Sequence, residues 1–189
     1  MKVLAMIMVL LLQGIWCSAH CWETERIALL HLQSHLNYSL QHDSYLPFYY
    51  DFTLSSFYDY STSFPEMNVI QCCDWGRVRC SATTGRITQL NLLGIRDFSE
   101  EMWYLNASLF LPFQHLNYLN LEHNEITDCL KNEGFERLSS LENLEFLNLG
   151  FNNFSTDILS SLTHLSSLKY LYLDYNHMKG RINIEGEHT

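Results

Sequence analysis

The chain predicts an α/β solenoid, a right-handed coil with a parallel β-sheet on its concave face and a disulfide-bonded cap at its N-terminal end. Three observations carry this. A seven-position pattern runs three times: Phe110, Phe113, Leu116, Leu119, Leu121, Asn124 and Ile126 return as Leu138, Leu141, Leu144, Leu147, Leu149, Asn152 and Phe154, then as Leu162, Leu165, Leu168, Leu171, Leu173, Asn176 and Met178. The offsets are 28 and 24 residues with the inner spacing unchanged, which marks stacked structural repeats. Ahead of the first copy lie Cys21, Cys72, Cys73 and Cys80, together with an amphipathic segment that can cover an open end.

Written L-x-x-L-x-L-x-x-N-x-L, each copy is one turn of a leucine-rich-repeat coil. Strands are expected over residues 119–121, 147–149 and 171–173, after which the asparagine turns the chain. Successive strand side chains point to opposite sides, so the leucines enter the core and their neighbours face outward. Asn124, Asn152 and Asn176 should form an internal ladder, because a carboxamide has two donors and an acceptor with which to satisfy backbone groups in the bend. Upstream, Ile87, Leu90 and Leu92 give the strand spacing without the asparagine and read as an atypical first rung. Leucines three and four apart in 139–144 and 158–168 suit helical or 3₁₀ turns on the outer face. About four repeats are therefore expected over 86–189.

Apolar residues make up 47% and aromatics 14% of the chain, which argues against disorder. A net charge of −10 disfavours nucleic acid and anionic membrane as partners. Lys2, an apolar run over 3–12 and the small residues of Cys17-Ser18-Ala19 read as a secretory signal peptide, 1–19, with cleavage before His20. No later apolar run is long enough for a membrane helix, so any anchor lies past Thr189. The sequons at Asn37, Asn106 and Asn153 fit export and glycosylation. The third, close to the repeat turn, is expected to be poorly accessible.

Export makes disulfides the default for Cys21, Cys72, Cys73 and Cys80, which with Cys129 remain after Cys17 departs. Adjacent Cys72 and Cys73 are too close to bond each other, which leaves two connectivities. Zinc is disfavoured because paired ligands at short regular spacing are missing. Between Cys21 and the cysteine pair, Glu23 and Glu25 lead into Ile27, Ala28, Leu29, Leu32 and Leu36. This is an amphipathic helix, acidic where its dipole favours acids, whose apolar face should cover the first rung. The cap spans 20–85.

Three stretches together resemble the extracellular N-terminus of plant leucine-rich-repeat receptor-like proteins: Cys21-Trp22-Glu23-Thr24-Glu25-Arg26-Ile27-Ala28-Leu29-Leu30, Cys72-Cys73-Asp74-Trp75-Gly76-Arg77-Val78-Arg79-Cys80, and Thr84-Gly85-Arg86-Ile87-Thr88-Gln89-Leu90-Asn91-Leu92. Gly180-Arg181-Ile182 looks like the G-x-I step of plant repeats, with Asn183 where proline is usual. The resemblance implies the pairing Cys21 to Cys72 and Cys73 to Cys80. It also implies an ectodomain that senses extracellular microbial or peptide ligands and signals through partner kinases. Polygalacturonase-inhibiting proteins share the cap and repeat and give the alternative, a secreted inhibitor; a truncated, non-functional product is the third reading. Two features depart from the family. An aromatic-rich insertion fills about 43–71 and reads as a loop folded back on the cap, or as a segment of doubtful gene prediction, rather than a recognition loop, and no C-terminal cap follows the fourth rung.

Register assigns the open face to Gln89, Asn91 and Leu93; Tyr118, Asn120 and Glu122; Phe146, Asn148 and Gly150; Tyr170, Tyr172 and Asp174. Tyr118, Phe146, Tyr170 and Tyr172 align as an aromatic column, a residue type enriched at binding hot spots. The expected partner is an extracellular protein, peptide or glycan, with a co-receptor kinase for the complete protein. Enzymatic signals are weak: His31 and His35 share a helical face but lack the glutamate of a zinc-protease motif, and there is no phosphate-binding glycine loop and no nucleophile elbow. No cofactor or metal is expected. Cys129, the odd thiol, reads as a buried small apolar side chain.

Overall fold

Parallel strands stack wherever the repeat puts leucines two residues apart. The computed structural model describes residues 21–35, 72–95 and 102–179. The leader 1–19, Leu36, the sequon at Asn37, the insertion at 43–71 and the Gly180-Arg181-Ile182 step lie outside the described residues. Among these residues the strands are β1 (Val78–Cys80), β2 (Ile87–Asn91), β3 (Trp103–Leu105), β4 (Tyr118–Asn120), β5 (Ile126–Cys129), β6 (Phe146–Asn148) and β7 (Tyr170–Tyr172).

The main sheet has the order β1-β2-β4-β6-β7. β2, β4, β6 and β7 run parallel, with Leu90, Leu119, Leu147 and Leu171 in one row. β1 pairs antiparallel with β2 and closes an edge that would otherwise expose unpaired backbone groups. The strands begin one residue earlier than the leucine spacing suggests. Pairing already starts where Asn117 N–H donates to Thr88 C=O and Phe146 N–H to Asn117 C=O, and it runs on to Leu121 N–H, which donates to Asn148 C=O. Leu92, Leu121 and Leu149 form a second buried row, and Phe110, Phe113, Phe135 and Phe154 fill the core behind.

The asparagines tie each turn to its neighbour. Asn152 Nδ2 donates to the carbonyls of Leu121 at 2.9 Å, Leu149 at 3.1 Å and Gly150 at 3.0 Å, while its Oδ1 accepts from the N–H groups of Asn124 and Ile126. Asn124 does the same toward Leu92, Leu121 and Glu122 and accepts from Ile95 N–H. Asn176 repeats the set toward Leu149, Leu173 and Asp174 and accepts from Phe154 N–H, but it is half-exposed. One residue before these asparagines the backbone turns left-handed, at φ 60° for His123, 50° for Phe151 and 51° for Tyr175. Gly94 takes the same position in the first rung at φ 53°. Bulky residues enter this region only where the surroundings enforce it, and the paired amides on either side do so here.

The back of the coil differs in detail from the sequence expectation. The 3₁₀ helix lies at Phe135–Ser140, burying Phe135 and Leu138, and single turns from Leu138 to Leu144 continue it. In the next rung Thr156–Ile158 is 3₁₀ and leads into α2 (Leu159–Leu162). A second, two-stranded parallel sheet, β3 with β5, was not expected at all. Its strands of three and four residues are too short to show an alternating pattern.

The cap sits on the first rung. Helix α1 (Glu23–His35) buries Ala28, Leu29 and Leu32 as expected, together with Glu25. Ile27, assigned to the buried face, is 42% exposed because the buried stripe is set by the spacing 25, 28, 29, 32, and Ile27 falls on the far side. Cys21 is bonded to Cys72 and Cys73 to Cys80, with Cα separations of 5.6 and 5.7 Å. By chain entropy, loops spanning 51 and 7 residues are worth roughly 4 and roughly 2.5 kcal/mol. Glu25 is fully buried, its Oε2 accepting from Ile87 N–H at 3.1 Å and its Oε1 lying 3.5 Å from Arg86 Nη1. Arg86 stacks 3.5 Å from the centre of the Trp22 ring, whose Nε1 donates to Thr84 C=O. Burial pushes the Glu25 carboxyl above its ordinary range, against the opposing pull of the Ile87 N–H and Arg86.

Two outcomes follow from the ladder and the cap. Asn152→Ala orphans several buried groups and should destabilise the fold by about 3 kcal/mol or more, against about 1 kcal/mol for Asn176→Ala at the more exposed turn. Urea unfolding of the two variants gives the comparison, and equal losses would contradict the ladder's role. Because Glu25 binds its proton more tightly folded than unfolded, its contribution is complete below the unfolded carboxyl pKa and is lost as pH rises through the folded value. Calorimetric melts at increasing pH should therefore show wild type losing stability relative to Glu25→Gln, and a constant difference would refute this.

Candidate functional site

Strand alternation builds a face of rings on the open side of the main sheet. Tyr118, Phe146 and Tyr170 occupy one register position on β4, β6 and β7, and Tyr172 joins them two residues on. Phe146 is the hub. Its ring stacks on Tyr118 at 4.3 Å between centroids and 13° between planes, and meets Tyr172 at 5.3 Å and Tyr170 at 6.4 Å. Tyr170 and Tyr172 are 57% and 45% exposed on the edge strand β7, where the core-row Leu171 is 39% exposed too, so this end of the column lies at the open edge of the described sheet.

Polar positions beside the rings divide into two kinds. Asn120, expected on the open face, is instead buried: its Oδ1 accepts from Glu122 N–H at 2.9 Å, folding the side chain onto its own turn. Asn91 and Asn148 make the same bond to Leu93 and Gly150 N–H. Such Asx bonds two residues onward compete with outward display, and strand alternation alone does not reveal them. Asn148 is half-buried and also donates from Nδ2 to Glu122 Oε2 at 2.8 Å. Gly150 is buried, and a Cβ there would lie 3.1 Å from both Asn148 Oδ1 and Asp174 Oδ1. Its missing side chain lets the exposed Asp174 carboxylate lean over the strand.

A second file of rings, absent from the sequence reading, borders this face. His123 meets Phe151 edge-on at 5.9 Å, and Phe151 stacks on Tyr175 at 4.2 Å. These are the left-handed turn residues, so the backbone that seats the asparagine ladder also lines up the rings. The equal spacing of the three residues ahead of the ladder asparagines was the available signal.

The remaining candidates stay apart. His31 and His35 are exposed, and His35 Nδ1 lies 2.8 Å from His31 C=O; among the described residues no cluster could hold a metal. Cys129 is a half-buried free thiol on β5. Burial, then the charges of Asp128 and Glu136, push its pKa up to about 12, so it remains a protonated, unreactive thiol at neutral pH. Among the described residues no helix is long and apolar enough to cross a membrane.

One parallel strand per repeat, an asparagine ladder and a disulfide-bonded cap define a leucine-rich-repeat solenoid. Leucine Rich repeat family profiles match residues 114–128 and 143–165. Cuscuta receptor 1 of Solanum lycopersicum is 39% identical over 81% of this chain and 12% of its own length. Receptor-like protein 14 of Arabidopsis thaliana is 33% identical over 95% of this chain and 17% of its own. The chain is similar over most of its length to plant leucine-rich-repeat receptor-like proteins and spans less than a fifth of the length of these two relatives. Among solved structures, a plant ice-binding protein superposes over 84% of this chain and 50% of its own with a TM-score of 0.47 and 19% identity, too distant to bear on function.

The central stack is measurable. A double-mutant cycle over Tyr118→Ala and Phe146→Ala should give a coupling of about 0.5–1.5 kcal/mol in urea unfolding. A coupling indistinguishable from zero would mean that the two rings do not act as a unit.

Proposed function

We propose that this chain is a non-catalytic extracellular recognition module, part of a receptor-like protein that senses a peptide or protein ligand and signals through partner kinases. The observation that carries the reading is the aromatic column centred on Phe146. Rings held rigidly by a sheet present contact area at little cost in conformational entropy, which is why tyrosine and tryptophan concentrate at binding hot spots. The leader sequence, the disulfides and the sequons support a route through the secretory pathway to the cell surface.

Area limits what the module does alone. Four parallel strands spaced about 4.8 Å apart and about 17 Å long present roughly 300 Å². A stable protein interface takes about 800 Å² from each partner. The column therefore suits a short extended peptide, or one end of a larger ligand that continues along further repeats. Similarity to named relatives that are several times longer agrees with the second arrangement.

Selection of a random peptide library against the secreted chain tests the reading. Enriched peptides should bind with micromolar or weaker affinity and lose about tenfold or more on Phe146→Ala or Tyr172→Ala, as hot-spot truncations do. Peptides indifferent to both substitutions would place recognition elsewhere.

A further inference from the structure

Two of the three sequons fall at opposite ends of the second sheet. Asn106 directly follows β3, next to the point where Leu130 N–H donates to Leu105 C=O. Asn153 N–H donates to the carbonyl of Ile126, the first residue of β5. Among the described residues both asparagines leave their side-chain nitrogen without a hydrogen bond. Asn106 uses only Oδ1, accepting from Ser108 N–H at 3.0 Å, and Asn153 makes no side-chain hydrogen bond among the described residues. Asn153 is exposed, contrary to the expectation from its place beside the turn. Its predecessor Asn152 takes the buried ladder position and turns the next side chain outward.

Exposed apolar residues lie between these two points, beside the exposed Asp128 that pairs with Tyr104 across the sheet. Met102 is 69% exposed, Tyr104 43% and Leu130 45%. Exposed apolar side chains gathered on one side of a fold favour unwanted association when nothing covers them. An N-linked glycan is bulky and hydrophilic, and its acceptor must lie at the surface.

We infer that Asn106 and Asn153 both carry N-linked glycans, and that together these sheath the second sheet while leaving the aromatic column bare. The inference rests on the secretory reading above. Each attachment joins the asparagine Nδ2 to the reducing-end carbon of a lipid-linked oligosaccharide, with the lipid diphosphate as leaving group. The chain thereby acquires one covered side and one recognition side, and a partner is admitted only to the sheet carrying Phe146.

Expression of the full chain in a secreting plant or insect host tests this. After enzymatic glycan release, which leaves aspartate at each occupied site, peptide mapping should find aspartate at both 106 and 153. Release should also raise peroxide or radical oxidation of Met102 and Tyr104 by roughly threefold, since oxidation follows exposure, and leave Tyr170 and Tyr172 unchanged. An exported chain with both disulfides formed but asparagine intact at either position would overturn the inference while sparing the secretory reading. So would equal gains at Tyr172 and Tyr104. A chain that is never exported and keeps reduced cysteines would instead defeat the secretory reading itself.

Discussion

The asparagine ladder is the constraint on which the rest of this structure depends. A coil of short strands leaves polar backbone groups inside every turn, and a buried carbonyl or N–H without a partner costs more than the hydrogen bond it would make. Asn124 and Asn152 answer this from within, each bonding its own turn and the turn before it. The leucine rows can then pack without polar gaps, and the left-handed residues ahead of each asparagine are held in place. Sheet register, core and ring alignment all descend from those amides.

At its N-terminal end the coil needs a different solution, because the first rung has Ile95 where later rungs have asparagine. Asn124 Oδ1 takes the Ile95 N–H from one side, and the cap supplies the rest. β1 pairs the sheet edge, Arg77 donates to Leu93 C=O, and Glu25 receives Ile87 N–H. A buried carboxylate is a costly acceptor, and Arg86, stacked on Trp22, offsets only part of that cost. The Cys21–Cys72 disulfide binds this polar junction to a helix that contributes only a narrow apolar stripe, and Cys73–Cys80 ties the cysteine pair to β1.

Legibility in the sequence followed how strictly physics ties residue type to position. Leucine rows and ladder asparagines were readable because each tolerates almost no alternative. The helix α1 was readable as amphipathic, but Ile27 and Glu25 exchanged roles: an acid in a first turn reads as a dipole partner, and only the neighbouring strand shows that it is an acceptor for Ile87. Among the open-face residues, Phe146 and Tyr172 lie where alternation puts them, while Asn120 is withdrawn by a bond to its own turn. β3 and β5 left no periodic trace, and the ring file of His123, Phe151 and Tyr175 was hidden among residues taken as turn positions.

The second sheet also bears on how neighbouring rungs are joined. Where β3 lies against β5, neighbouring rungs are held one strand spacing apart, about 4.8 Å, as they are in the main sheet. The last repeat is four residues shorter than the one before, with offsets of 24 against 28, and passes from Phe154 to a 3₁₀ turn and a short helix. Among the described residues the rungs of β2 and β4 are joined through both sheets and those of β6 and β7 through the main sheet alone, and the aromatic column crosses from the first kind to the second.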